Sequence, residues 1–326
     1  MVEIHSFIYV IFIPLVVRYS QNSYQGDPLM NVQFRRYTDQ AGITEDYAKV
    51  RAFFCRLGYK EYTYARWDWM TTHTYLDKSA IGCMGLWEEN DEVVGITTID
   101  GCLGQAFCMT LPTYEYLKKE MLIYSKHNLA SKDKFEVTID DRDDYFQKIA
   151  VELGFVATPN KEFDAVFHIG QTSTEYSLPE GFSIVSLKDR LDFYQYGRVL
   201  WKGFNHELDG EGEFVFNEEK RRAFEQELVR PNVDLNLKIA VVDPNGDFAS
   251  YCGMWYDPKA GFAVVEPLAT DPKYRKMGIG KAAVLEGIQR CAKRNAKIVF
   301  VGSSQQFYYN IGFRPYSTAT QWKSKI

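Results

Sequence analysis

The chain has 326 residues, 46% of them hydrophobic and 25% charged, a globular composition that excludes the intrinsically disordered class. One domain usually takes ~100–200 residues, so two are expected. A net charge of −5 supplies no global field for nucleic acid or an anionic membrane, and any anion must be held by a local cluster.

The six cysteines, Cys55, Cys83, Cys102, Cys108, Cys252 and Cys291, contain no C-x-x-C and no zinc-like spacing. Buried free thiols in a reducing, cytoplasmic setting are expected. The five histidines are scattered, so no metal site is expected.

In chain order, "FIYVIFIPLVV" (7–17) comes first. Eleven apolar residues interrupted by Pro14 are too few for a spanning helix. Only Glu3 is charged upstream, and no small-residue cleavage site follows, which argues against a signal peptide. Residues 1–29 are read as an extension outside the core, with the first strand in "MNVQFRRYTDQ" from Met30. "DYAKVRAFFCRLG" (46–58) places Val50, Phe53, Phe54 and Leu57 on one helical face. "GCMGLWEENDEVVGITTIDG" reads as a hairpin turning at Glu89-Asn90-Asp91. Helices are expected over 113–129 and 143–155.

The polar stretch "IGQTSTEYSLPEGFS" (169–183) is the best boundary. It divides the chain into domains at 30–170 and 182–326 with a linker at 171–181. Beyond it come two helices, "KDRLDFYQYGRVLWKGF" and "EEKRRAFEQELV". A hairpin follows in "KIAVVDPNGDFASYCGMWYD", turning at Pro244-Asn245-Gly246-Asp247. A strand "GFAVVEPLAT", a helix, a buried strand "KIVFVG" and a short helix in "QQFYYNIGF" complete the order. Gly154-Phe155 recurs as Gly312-Phe313 after 158 residues, and Gly104 as Gly261 after 157. Two nearly equal offsets in one element order argue for a duplicated domain.

The segment "DPKYRKMGIGKAAVLEGIQRCAKRN" (271–295) is the strongest candidate for holding an anion. A P-loop needs a first glycine where Arg275 stands, and Ser or Thr where Ala282 stands. A dinucleotide fingerprint on Gly278, Gly280 and Ala283 leaves only 46 residues after Gly280, too few for a nucleotide domain. The remaining pattern is R-x-x-G-x-G, in Arg275, Gly278 and Gly280. Glycines let the backbone approach a ligand closely, and the helix that follows offers unpaired N–H groups and a positive dipole end. The alternative is a tight strand-to-helix turn with a solvated basic face.

"EPLATDPKYRKMGIGKAAVLEGI" together with "QFYYNIGF" resembles the GNAT superfamily of N-acetyltransferases. The motif match covers about the last quarter of the chain, and the element order extends it across 182–326. The resemblance implies an α+β fold of two GNAT-like domains, each a twisted mixed sheet flanked by helices. It implies acetyl-CoA as co-substrate and an amine of a small molecule or peptide as acceptor. It involves no metal, nucleic acid or membrane, and a homo-oligomer stays open. It also implies that main-chain N–H groups of Met277, Gly278, Ile279, Gly280, Lys281 and Ala282 bind the pyrophosphate, with Arg275 and Lys276 flanking. The backbone of Leu268, Ala269 and Thr270 would pair with the pantetheine arm. Tyr308 matches the family tyrosine that protonates the departing thiolate, a role suited to a phenol because its pKa lies near that of the thiol.

Glu266 is a candidate base for the amine, directly or through water, or else a polar residue at a strand bulge before Pro267. The loop "WKGFNHELDGEGEF" (201–214) offers Phe204, His206 and Glu207 as acceptor contacts, with His206 an alternative base. A flexible acidic surface loop is an equal reading. Many family members carry an Asn seven residues before the tyrosine, where Val301 stands. In the first half, "MTLPTYEYLKKEM" replaces the glycine loop and Ala150 the tyrosine, so that half reads as degenerate. A non-catalytic acyl-CoA-binding protein is the alternative to an enzyme.

Overall fold

The computed structural model describes residues 31–38, 40–132 and 134–324, so the expected extension at 1–29 lies outside the described residues. One order of elements runs twice. The first pass is β1 (Gln33–Arg36), α1 (Glu45–Leu57), α2 (Tyr64–Thr72), β2 (Gly85–Glu89), β3 (Glu92–Thr98), β4 (Gln105–Thr110), α3 (Lys118–Asn128), β5 (Glu136–Asp140), α4 (Asp144–Glu152) and β6 (Phe155–His168). The second is β7 (Ser183–Ser186), α5 (Phe193–Gly203), α6 (Glu218–Leu228), β8 (Lys238–Val242), β9 (Phe248–Tyr256), β10 (Phe262–Thr270), α7 (Ile279–Ala292), β11 (Ile298–Val301), α8 (Gln306–Asn310) and β12 (Arg314–Ser324).

The recurring glycines have a backbone cause. Gly104 and Gly261 precede β4 and β10 with φ of 113° and 77°, while Gly154 and Gly312 precede β6 and β12 with φ of 81° and 109°. These are left-handed conformations that glycine adopts at least cost. Gly312 is also crowded, because a Cβ there would lie 2.5 Å from Thr172 Cγ2.

The mixed α+β fold expected from the sequence is observed, but as one sheet rather than two. Its twelve strands run β1-β2-β3-β4-β5-β12-β6-β11-β10-β9-β8-β7. The last strand of each half is exchanged. β12 pairs antiparallel with β5, β6 pairs antiparallel with β11, and the two exchanged strands pair with each other at the centre. Only β4–β5 and β10–β11 are parallel. Pro159 lies inside β6, where the pairing passes from Lys161↔Thr320 to Ala157↔Trp322 out of step. A proline tolerates a strand interior at such an irregularity.

Sequence periodicity misses α2, β6, β7 and β12, none of which carries a clean 2- or 3.6-residue pattern, and β5, whose Val137 and Ile139 alternate with polar residues over only five positions. The helix expected over 113–129 begins as a 3₁₀ turn at Pro112–Leu117 before α3. Cys102 departs from the expected set of buried thiols: it is exposed in the β3–β4 turn, whereas Cys55, Cys108, Cys252 and Cys291 are buried. Among the described residues no helix is long and apolar enough to cross a membrane.

Helix α7 buries Ile279, Ala283, Val284, Ile288 and Cys291, and each large apolar side chain contributes about 1.5–3 kcal/mol. It lies so close to β9 that a Cβ on Gly287 would sit 2.6 Å from Met254 Cγ. On the face of the sheet that α5 and α6 cover, Lys238 is 2% exposed. Its Nζ donates to the Met254 carbonyl at 3.1 Å and stands 3.5 Å from the Trp255 ring centroid. Burial pulls the Lys238 ammonium down to about 7, with Cys252 and Glu227 opposing.

Two outcomes are expected. Residues 182–326 expressed alone leave the β11 edge open and β12 without strand partners, so circular dichroism should show no cooperative thermal transition. Co-expression with residues 31–170 should restore one. Secondly, between pH 7 and 10 the unfolded chain keeps a proton on Lys238 that the folded chain lacks, so this group makes stability rise with pH. Urea unfolding at pH 7 and 9 should therefore shift in favour of wild type over Lys238→Met by about 2 kcal/mol. A difference independent of pH would contradict this.

Candidate active site

Two strands diverge at the centre of the second half. β10 pairs with β11 only from Phe262↔Ile298 to Val264↔Phe300, then runs on to Thr270. On its other side β10 pairs with β9, with a bulge between Val265 and Leu268. Glu266 and Pro267 occupy that bulge, the position the sequence suggested for a polar residue. The Trp255 indole N–H donates to the Glu266 carbonyl at 2.9 Å. Gly253 lies beneath it, where a Cβ would stand 2.3 Å from the Glu266 oxygen, so any larger residue would push the bulge out. Beyond Val264, the β10 edge that faces β11, including Leu268, Ala269 and Thr270, has no strand partner.

The loop after β10 leads into α7 through Lys276 and Gly278, both with positive φ. Helices α1, α2, α4, α5 and α6 each have a side chain accepting from an N-terminal N–H group. At α7 the cap is Gly278, and no side chain does so. The first helical bond runs from the Ala282 N–H to the Gly278 carbonyl. The N–H groups of Ile279, Gly280 and Lys281 therefore remain at the positive end of the dipole. Gly280 has no room for a side chain, since a Cβ would lie 2.9 Å from Thr270 Oγ1.

This helix end opens into a cleft of about 850 Å³ lined by Phe204, Asn205, Leu268, Thr270, Arg275, Lys276, Gly278, Ile279, Gly280 and Lys281, and closed by Gln305, Phe307, Asn310 and Ile311. The structure thus brings together most of the residues expected to hold the co-substrate. Met277 is exposed in the loop, while Ala269 and Ala282 are buried behind it. Arg275 is turned away from the helix end: its guanidinium donates to the Gly203 carbonyl at 2.9 Å and Asn205 Oδ1 at 2.6 Å. It ties the end of α5 to β10, where Gly203 is packed too closely on Ala269 for any Cβ.

A second cleft, of about 520 Å³, adjoins the first at Gln305 and contains Glu266. Its other walls come mainly from the first half: Tyr59 to Thr63, Ala65, Arg66, Asp100, Gln105, Phe107 and the β6 residues 161–164. Arg66 Nη1 stands 3.9 Å from Glu266 Oε1. Arg66 itself is bidentate on Asp100, with Nε at 2.7 Å from Oδ1, and its guanidinium lies 4.6 Å from the Trp69 ring centroid. Lys161 turns to Asp141 at 2.6 Å. Asp164 accepts from Tyr59 and Ser317, both neutral donors.

The surrounding protein pushes the Glu266 carboxyl above the usual carboxylate range, with Arg66 the main opposing influence. Burial raises Glu162 and Asp164 likewise. Tyr308 is 7% exposed and packs on Phe307 and Phe313 with ring centroids 5.1 and 5.5 Å away. Burial pushes its phenol above the ordinary value, with Cys252 and Glu266 adding to the effect. It lies behind the cleft wall that Phe307, Asn310 and Ile311 form.

The 201–214 loop divides. Phe204 reaches the first cleft. His206 stacks on Trp201 at 4.2 Å, with Nδ1 2.8 Å from Glu211. Glu207 faces Lys202 at 3.3 Å. Both are engaged within their own loop and line neither cleft. Arg66, Asp100, Glu162 and Asp164 are not recoverable from sequence pattern, since Arg66 and Glu266 stand 200 positions apart with no local signal joining them.

In the first half, the place of the glycine loop is taken by the Pro112–Leu117 turn, with Pro at its start. Lys118 bridges from the start of α3 to Asp143, the cap of α4, and also reaches Glu115 at 3.4 Å. The corresponding cleft is smaller, about 370 Å³, and is lined by Glu61, Glu115, Asp140, Asp143 and Asp144. Among the described residues no group of side chains is arranged to hold a metal.

Residues 201–313 match the model of the acetyltransferase (GNAT) family. No curated protein sequence matches. Solved structures with the same fold include a tandem GNAT protein from the clavulanic acid biosynthesis pathway (TM-score 0.55, 12% identity, covering 90% of this chain and 98% of that one). A GCN5-related N-acetyltransferase from Sphaerobacter thermophilus is similar (TM-score 0.53, 14% identity, covering 90% and 95%). So is a GNAT-family acetyltransferase from Colwellia psychrerythraea (TM-score 0.51, 11% identity, covering 90% and 100%). The match to the GNAT acetyltransferase family is thus confined to residues 201–313, and the likeness to solved structures over about 90% of this chain is one of fold.

Proposed function

We propose that the chain is an acetyl-CoA-dependent N-acetyltransferase acting from the cytoplasm, with the working site in its second half, 182–326, and a degenerate first half, 30–170, joined by 171–181. The observation that carries this is the meeting of two clefts at Gln305, one with a free helix N-terminus, the other with a carboxylate raised by its surroundings. The residues present fit the co-substrate: free N–H groups of Ile279, Gly280 and Lys281 suit a pyrophosphate, and the partnerless β10 edge at Leu268–Thr270 suits an extended amide chain.

Acetyl-coenzyme A supplies an acetyl thioester when bound. Glu266 takes a proton from the attacking amine, directly or through water, as the carbon–nitrogen bond forms and the carbon–sulfur bond breaks. A raised carboxyl is suited to this, because a base works best with a pKa nearer the working pH. Tyr308 is assigned the proton that the departing thiolate takes, although burial behind the Phe307–Ile311 wall makes its phenol a weaker acid than a free one. Ser303 and Ser304 line the cleft beside Glu266, but among the described residues no base is hydrogen-bonded to either hydroxyl to activate it, which favours direct transfer. In the acceptor cleft Arg66 is bidentate on Asp100 and reaches Glu266 at 3.9 Å, Lys161 is held by Asp141, and Lys60 adds one further cation, while Glu61, Asp100, Glu162, Asp164 and Glu266 make carboxylates the more numerous. That balance favours a cationic amine, of a small molecule or a peptide.

Calorimetry with acetyl-CoA tests the reading. Micromolar binding is expected for wild type, and Gly280→Glu should abolish it, since the added carboxylate meets Thr270 and repels phosphate. Binding indifferent to that change would overturn the proposal. Thiol release with a panel of amines should show turnover, and Tyr308→Phe should lower kcat by about 10²-fold with acetyl-CoA affinity little changed. Tight binding with no amine ever acetylated would instead mark a non-catalytic acyl-CoA-binding protein.

A further inference from the structure

The first half has lost an anion site of its own, yet it places a cation against the candidate base of the second. Arg66 begins the first turn of α2, where Thr63 accepts from its N–H at 3.3 Å. Three contacts fix its guanidinium: the two oxygens of Asp100 and the face of Trp69. All three partners belong to the first half. The remaining direction is toward Glu266, with Nη1 3.9 Å from Oε1. A long side chain would ordinarily lose much conformational freedom to hold such a position, but here Asp100 and Trp69 hold it whether or not Glu266 is charged.

We propose that Arg66 is a positioning residue for acetyl transfer: the first half presents its guanidinium, braced by Asp100 and Trp69, to orient the Glu266 carboxylate and keep it available as a base. This rests on the reading of Glu266 as the base. Glu266 sits in a bulge, tied down by its carbonyl to Trp255, and its side chain is free to rotate unless something faces it. A guanidinium on one side of a carboxylate limits that rotation and favours the charged form. The charged groups that bear on Glu266 are Arg66 from α2, Asp100 from the β3–β4 turn and Lys238 from β8; Arg66 and Lys238 favour ionisation, and Asp100 and burial oppose it. Duplication followed by loss of one cofactor loop thus leaves the first half with a direct part in the chemistry of the second.

The signs predict opposite effects for two neighbouring substitutions. Arg66→Gln removes the favourable charge, so Glu266 should hold its proton to higher pH. Asp100→Asn removes an unfavourable charge and should move it the other way. Carbon-13 NMR of glutamate carboxyls, with Glu266→Gln identifying the resonance, reads the titration directly. The acid limb of kcat/KM should follow it. At one pH on that limb, Arg66→Gln should lose about tenfold relative to its own plateau, and Arg66→Lys should recover most of this. The pKa of the acceptor amine is common to all variants, so a limb that moves between them belongs to the enzyme.

A Glu266 titration unmoved in both Arg66→Gln and Asp100→Asn would overturn the inference, as would a moved titration that the limb ignores while Glu266→Gln is inactive. If Arg66→Gln does not fold, Asp100→Asn still gives a signed answer. Wild-type turnover in Glu266→Gln would overturn the base assignment itself, and is told apart because it appears without Arg66 being altered.

Discussion

The pairing of β6 with β12 is the constraint on which the rest depends. Each half ends in a strand that it gives to the other, and the two donated strands meet at the centre of the sheet. Without the donated strands, β5 and β11 would be edges, with unpaired backbone groups whose desolvation is costly. With it, twelve strands make one continuous layer, and neither half is closed without the other. The exchanged strands also set the distance between halves: β6 brings Glu162 and Asp164 to the side of β10 that carries Glu266. A cleft between the halves therefore follows from strand order alone, before any side chain is chosen.

Within that frame the chemistry is concentrated where regular pairing stops. β10 leaves β11 after Val264, and its bulge turns Glu266 out of the ladder. Two residues defend this local irregularity. Gly253 leaves space for the Glu266 carbonyl, and Trp255 donates to it. Glycine at 253 would be poor strand chemistry anywhere else, because it packs nothing and loses much entropy on ordering. At α7 a similar trade is seen. A serine or aspartate at position 278 would cap the helix and add about 1 kcal/mol, but it would occupy the N–H groups that an anion needs. Positive φ at Gly278 also disfavours such a residue. Both departures from ordinary stability face the junction of the two clefts.

How far the site could be read from sequence depends on how local each signal is. The glycine loop, the helix behind it and the "FYYNIGF" segment were legible because their geometry is written in consecutive residues. The recurrence of Gly104 and Gly154 as Gly261 and Gly312 was legible because left-handed backbone permits few alternatives. Strand exchange was not, since β6 and β12 carry polar residues, Pro159 and Pro315, and no clean alternation. Domain limits drawn at 170 and 182 follow the chain connection, whereas the hydrogen bonds cross it. The acceptor side shows the same limit. Phe204, His206 and Glu207 stand out in the sequence because aromatic and charged residues cluster there, yet His206 and Glu207 bind within their own loop. The cleft beside Glu266 is instead walled by residues from 59 to 164, which reach it only through the exchanged sheet.

The two halves differ where the fourth strand of each leads into a helix. In the first, a proline-led turn stands before α3, and Lys118 bonds to Asp143 across the cleft there. A buried lysine without a partner would be costly, whereas paired it closes the cleft. In the second, the helix end stays open, and Arg275, its nearest arginine, is spent on Gly203 and Asn205 to hold the cleft wall. Lys118 and Arg275 are thus committed to protein partners, whereas Lys276 and Lys281 line the open helix end. The N–H groups of α7 stand uncapped beside those lysines, while Arg66 is directed at Glu266. A fold that assigns its charges this way can lose one binding loop and still need both halves, because the sheet and the cleft between them are shared.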